Sequence, residues 1–111
     1  MCIRDRAGVI NEYAGFYNAF AWFLVNIENA ADEDISRALE LSEISNQLTE
    51  FKDPSYIDTL AHAYALSGNF GRAVDLERQA ISLAEAADSN SIEEFRNKLE
   101  VWEEEIESTS K

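Results

Sequence analysis

Asp58 and His62 stand four positions apart in a stretch with helical patterning, which makes them the first residues to examine for chemistry. At this spacing a carboxylate and an imidazole share one helix face and could form an acid–base pair or half of a metal site. His62 and Cys2 are the only histidine and the only cysteine, so neither a zinc site nor a disulfide can be built. No nucleophile accompanies the pair. We therefore expect a simple contact on the helix surface, with no catalytic residues, no metal and no cofactor.

Two other patterns resemble ligand sites without completing them. Gly68 and Gly71 lack the remaining positions of a glycine-rich phosphate loop. Seven glutamates lie between residues 93 and 107, but their spacing is not that of an EF-hand loop. A solvated helix face is the better interpretation of the glutamates.

Length and charge exclude several classes of function. The chain has 111 residues, which is enough for one domain, and 46 % of them are hydrophobic. Its 22 acidic and 9 basic side chains give a formal net charge of −13. Such a chain repels phosphate backbones and anionic lipid, so we expect neither nucleic acid nor a membrane as partner. A basic or neutral protein partner remains open.

The ends of the chain carry separate expectations. Residues 1–6 resemble the translated read-through of a sequencing adapter, so we treat them as an artefactual leader before a domain at 7–108. The apolar stretch 14–25 has about half the length of a bilayer span and contains Asn18, which indicates a buried helix. A cytoplasmic location is favoured, with export the alternative if an upstream signal has been lost.

The composition predicts an all-α fold, because one proline and four glycines interrupt a chain rich in alanine, leucine and glutamate. Asp53 and Pro54 are typical of a helix start, and Gly68 of a helix end. Apolar spacing and these signals predict five helices, at about 9–27, 34–49, 54–67, 70–87 and 91–107, followed by a frayed tail at 109–111.

The sequence also repeats itself. Residues 20–24 align with 60–64 at an offset of 40, and residues 37–41 align with 72–76 at an offset of 35. The chain therefore contains two helix pairs, the first with five extra residues in its connection. A period near 34 is typical of repeats built from two helices.

Residues 57–81 resemble a tetratricopeptide repeat of the bacterial type. Six positions match the pattern of that family in order and spacing, namely Leu60, Tyr64, Gly68, Phe70, Ala73 and Ala80. Glu77 stands where the family usually has an aromatic residue. The resemblance implies a tetratricopeptide-like α-α superhelix of two helix pairs, at about 16–50 and 54–87, closed by a capping helix at about 91–107.

The resemblance also implies a peptide-binding groove, lined by the first helix of each pair, which places Asn18, Trp22, Asp58 and His62 on the concave face. Asn18 and Asp58 could bond an extended backbone, and Trp22 could supply an aromatic anchor. The alternative is a core Trp22 and an exposed His62 without a role. Because none of the four is basic, we do not expect the carboxylate-gripping activity known for some chaperone-binding members.

Three functions follow from these observations. The first is a non-catalytic module that binds a protein or peptide segment, acting as a monomer or within a longer chain. The second is a C-terminal appendage of a larger enzyme, thioredoxin-like or hydrolytic, whose catalytic domain lies outside this sequence. The third is a dimerisation unit that uses the apolar seam of residues 92–106.

Overall fold

The computed structural model describes residues 3–87 and 90–109, and it describes the side chains of residues 12–87 and 90–108. The predicted all-α class is confirmed, since the described residues form helices and no strand. The helices are α1 (Ile3–Val25), α2 (Asp32–Leu48), α3 (Pro54–Leu66), α4 (Phe70–Ala86) and α5 (Ile92–Thr109).

The helix bounds differ from the sequence-based expectation mainly at the two ends. α1 begins at Ile3, so residues 3–6 of the expected leader belong to a helix. α5 continues to Thr109, into the expected frayed tail. Neither extension contains proline or glycine, so no helix-breaking residue interrupts either of them. Residues 1–2 and 110–111 lie outside the described part of the chain.

The two ends of α3 confirm the predicted start and stop signals. The Asp53 side chain caps α3 by accepting a hydrogen bond from the Ser55 amide at 3.0 Å. Gly68 follows α3 with φ at +92°, a left-handed conformation that glycine adopts without steric cost. Asn69 then caps α4 by accepting a hydrogen bond from the Arg72 amide at 3.2 Å. These caps fix the turn between the two helices that carry the core.

The helices pack mainly in chain order, and α1 also contacts α3. One apolar cluster joins α3, α4 and α5, and a smaller one joins α1 and α2 to α3 through Ala63. α3 is therefore the central element of the fold. Phe95 and Trp102 of the α5 seam are 4 % and 8 % exposed, so the seam is used within the chain and is not free for dimerisation.

Buried polar side chains tie the first three helices together. The Ser45 hydroxyl donates to the Ala14 carbonyl at 2.9 Å, which links α2 to α1. The Asn46 amide donates to the carbonyls of Ser42 and Tyr56 at 2.9 and 3.0 Å, which links α2 to the start of α3. α1 and α3 are therefore held side by side, and the surface between them is a defined one. Among the described helices, none is both long and apolar enough to cross a lipid bilayer.

Candidate functional site

The four residues predicted for the groove lie together between α1 and α3. The rings of Trp22 and His62 meet edge to face, with centroids 5.6 Å apart and planes at 84°. Trp22 is 38 % exposed, so it is not a core residue. Asn18, Trp22 and Asp58 line a cleft of about 230 Å³. The remaining lining residues come from α3, α5 and the residue before α5, and they are Ser55, Thr59, Ser91, Glu94 and Phe95.

Helical spacing explains why these side chains converge. Asn18 and Trp22 are four residues apart on α1, and Ser55, Asp58 and Thr59 lie within the first two turns of α3. Residues separated by three or four positions share one helix face. The Asp53 cap and Pro54 fix the first turn of α3 and thereby the direction of Asp58.

Lys98 of α5 reaches into the same place and was not predicted. Its ammonium nitrogen lies 2.9 and 3.1 Å from the two carboxylate oxygens of Asp58. It also lies 5.0 Å from the centroid of the Trp22 ring and 4.0 Å from a carboxylate oxygen of Glu94. The side chains of Lys98 and Asp58 are 20 % and 8 % exposed, so this is a largely desolvated ion pair beside an aromatic face.

The ion pair changes the role predicted for Asp58. An extended peptide was expected to bond Asp58, but both of its carboxylate oxygens accept hydrogen bonds from Lys98. The expected surface contact with His62 is replaced in the same way. Asp58 therefore shapes the floor of the cleft by fixing Lys98, and it is not an open acceptor for a ligand.

His62 is half-buried between two tryptophans. Its ring centroid lies 5.6 Å from that of Trp22 and 6.2 Å from that of Trp102. Burial lowers the pKa of His62, the ammonium of Lys98 lowers it further, and the carboxylate of Asp58 partly opposes both. The imidazole is therefore neutral at pH 7. Its Nδ1 atom is buried and has no hydrogen-bond partner among the described residues.

Glu77 lies behind this site, on α4, with no exposed surface. Its pKa is raised from 4.5 to about 10, mainly by burial and then by the neighbouring Asp58, through hydrogen bonding and through its charge. The charge of Lys98 acts in the opposite direction, and that of Glu94 adds to the rise. Asp58 is close enough to exert this influence. Neither carboxyl oxygen of Glu77, however, has a partner at full hydrogen-bond geometry among the described residues. Glu77 is therefore protonated at neutral pH, in the position where the tetratricopeptide pattern has an aromatic side chain.

Sequence reasoning missed Lys98 and the participation of α5. A signal was present, because Lys98 follows Phe95 by three positions and precedes Trp102 by four, which places it at the margin of the apolar seam. Glu77 was visible as an irregularity in the apolar row of α4, but its neighbours were not. No three potential ligands among the His, Cys, Asp and Glu side chains of the described residues converge to hold a metal ion.

Comparisons with protein families, with curated proteins and with solved structures found no match to this chain.

Proposed function

We propose that this chain is a non-catalytic interaction module that binds an extended protein segment in the cleft between α1, α3 and α5. The observation that supports this most directly is the pairing of an exposed aromatic side chain with an unsatisfied acceptor. Trp22 is 38 % exposed at the cleft, and Asn18, which also lines the cleft, has a buried Oδ1 with no hydrogen-bond partner among the described residues. In the proposed complex the Asn18 side chain turns so that this oxygen reaches the ligand. An aromatic face beside a side-chain oxygen that can accept a hydrogen bond from a backbone N–H suits one residue of an extended peptide.

The size and charge of the cleft limit the kind of ligand that it can bind. Its volume of about 230 Å³ is below the usual range for small-molecule pockets, about 300–1,000 Å³, and suits a single side chain. The side chain of Glu94 at the cleft is 68 % exposed, while the ammonium of Lys98 is already paired with Asp58. Two carboxylates, of Asp58 and Glu94, thus face the single ammonium of Lys98, which leaves these three groups with a net negative charge in a chain of net charge −13. A segment that carries lysine or arginine is favoured, and a neutral one is tolerated.

We propose binding in preference to catalysis because Glu77, the residue with a strongly shifted pKa, is buried. Shifted pKa values often mark active sites, and the raised pKa of Glu77 is such a shift. Glu77 has no exposed surface, however, and it is not among the residues that line the cleft. A substrate in the cleft would not reach its carboxyl group.

The scaffold we propose is a tetratricopeptide-like superhelix of two helix pairs, α1–α2 and α3–α4, with α5 as the capping helix. Three observations support it: the internal offsets of 40 and 35 residues, the packing of each helix on the next with α1 on α3, and the glycine turn at Gly68. On this scaffold the cleft belongs to the face formed by the first helix of each pair.

A display library of random peptides, about twelve residues long, tests the proposal. Selected peptides are synthesised and titrated into the chain, with tryptophan fluorescence and backbone amide shifts as readouts. We expect lysine or arginine in the enriched sequences and shifts at Asn18 and Trp22. Trp22→Ala and Glu94→Gln should each weaken binding about tenfold or more, in line with interface anchors.

Two variants make the test decisive. Asn18→Leu keeps the branching of the side chain at Cγ while removing the acceptor, so it should weaken binding without loss of helicity. Val101→Ser alters an exposed apolar residue of α5 that does not line the cleft and should bind like the unmodified chain. Selected peptides whose affinity survives both Trp22→Ala and Asn18→Leu would refute the cleft, and a library that yields no enriched sequence would refute the proposal.

A further inference from the structure

α1 carries a second exposed surface that the cleft does not use. Tyr13, Phe16, Phe20 and Phe23 are 54 %, 71 %, 50 % and 65 % exposed. Their steps of three, four and three residues place them on one face of the helix. We call these four residues the aromatic ridge. Trp22 is two residues from Phe20, about 200° around the helix, so the ridge and the cleft lie on different faces of α1.

The internal repeat shows that the equivalent face of α3 is a packing surface. At the offset of 40 residues, Phe20 corresponds to Leu60 and Phe23 to Ala63, and both α3 residues are completely buried. Ala63 packs in a cluster with residues of the preceding helix pair, namely Ala21, Leu24, Val25 and Ala38. The same face on α1 has larger, aromatic side chains and is uncovered in the single chain.

The charge distribution indicates what can cover the ridge. Residues 13–27 include no charged side chain, whereas the whole chain has a net charge of −13. Two copies repel each other over most of their surfaces, and that repulsion is weakest where both present an uncharged face. A second copy of this chain can therefore approach along the ridge.

The area is also suitable for a dimer. At about 200 Å² for each aromatic side chain, the exposed fractions of the ridge amount to roughly 500 Å². This is near the upper end for the largest apolar patch of a monomer. Together with the residues that surround the ridge, this area approaches the roughly 800 Å² that each partner buries in a standard interface.

We propose that the aromatic ridge is the interface of a symmetric homodimer, in which two α1 helices pack antiparallel. A twofold axis near Phe20 sets Phe16 of one copy toward Phe23 of the other, so each copy uses the same residues. Asn18 and Trp22 remain accessible, and the dimer would therefore carry two open clefts.

Sedimentation equilibrium and light scattering on the full chain, from about 1 µM to 1 mM, test the proposal. We expect a mass that rises to twice that of one chain, and association that persists or strengthens at 1 M NaCl because salt screens the residual repulsion. Phe16→Ser and Phe23→Ser should each weaken dimerisation about 100-fold or more, since every substitution is present twice in the interface.

The controls distinguish a loss of dimerisation from a loss of folding. Both phenylalanines are more than half exposed, so the far-ultraviolet circular dichroism and melting temperature of the variants at low concentration should match the unmodified chain. Val101→Ser, an exposed apolar substitution on α5, should leave dimerisation unchanged. A single-chain mass at 1 mM, or a dimer that survives both ridge substitutions, would overturn the proposal, whatever the peptide titrations show for the cleft.

Discussion

Replacing Glu77 by glutamine should stabilise the chain at neutral pH and leave its stability at pH 4 almost unchanged. Glutamine has nearly the shape of a protonated glutamic acid, so the buried site keeps its packing. The folded state holds Glu77 protonated because its pKa is raised from 4.5 to about 10. The unfolded chain ionises at the ordinary pKa. Only the unfolded state therefore gains from ionisation as the pH rises, and glutamine removes that gain.

The size of the effect follows from the two pKa values. Below pH 4.5 both states are protonated and Glu77 contributes no pH dependence. Above it, stability falls by about 1.4 kcal/mol for each pH unit until the folded pKa is reached. At pH 7 the penalty is roughly 3 kcal/mol, which Glu77→Gln should recover. For a chain of this size the gain corresponds to roughly 10 °C in melting temperature.

Urea denaturation of both proteins at each pH from 4 to 9 measures the difference directly. Comparing variant with parent cancels the titration of the other carboxylates, which both proteins share. Glu104→Gln, an exposed substitution on α5 that removes the same formal charge, is the matched control and should run parallel to the parent. A constant difference between Glu77→Gln and the parent from pH 5 to pH 9 would show that Glu77 ionises normally in the folded chain, and the reasoning would be wrong.

Three further changes test neighbouring features of the fold. Lys98→Met leaves Asp58 buried and unpaired and should cost about 3–5 kcal/mol, and the double variant with Asp58→Asn should recover much of it in urea titrations. Because the pKa of His62 is lowered, the unfolded chain takes up its proton first, so below about pH 6.5 the parent should lose stability that His62→Gln retains in thermal melts. Gly68→Ala should destabilise by about 1 kcal/mol because φ is +92°. Gly71→Ala on α4, whose added Cβ would make an ordinary contact with the Asn69 side chain at 4.0 Å, should be neutral or stabilising in the same melts.

Helix periodicity was enough to predict the five helices and most of their bounds, because apolar spacing and the signals at Asp53, Pro54 and Gly68 are local properties. The outer ends of the first and last helices were harder to predict. Residues 3–6 were set apart as a leader and residues 109–111 as a frayed tail, yet α1 begins at Ile3 and α5 continues to Thr109. Neither helical extension contains a helix-breaking residue. The prediction that Trp22 and His62 lie on one face came from the resemblance and the repeat offset, and the contact between their rings is a finding of the structure.

The ion pair at the cleft could not be predicted in the same way. It joins Asp58 to Lys98 across forty residues, and neither periodicity nor the repeat relates α5 to α3. A charged residue at the margin of an apolar seam is common on solvated helices, so Lys98 alone gave no reason to look for a partner. The position of Glu77 was marked as irregular, but only the packing of α3 on α4 shows that its neighbour is another carboxyl group.

The polar cluster and the cleft are parts of one arrangement. Asp58 fixes Lys98, and Lys98 places its charge at the face of Trp22, so the orientation of α5 relative to α1 depends on a desolvated ion pair. Buried ion pairs contribute little net stability compared with apolar packing, but they permit few alternative geometries. Glu77 complements the ion pair by remaining neutral. Its ionisation would add a second negative charge beside Asp58, and only the ammonium group of Lys98 would offset the two charges. Glu94, at 4.0 Å the more distant of the two carboxylates around Lys98 and 68 % exposed, is the one that a cationic ligand can reach. The charge preference of the cleft should therefore change with Glu94→Gln, while the stability of the fold should follow Glu77 and Lys98.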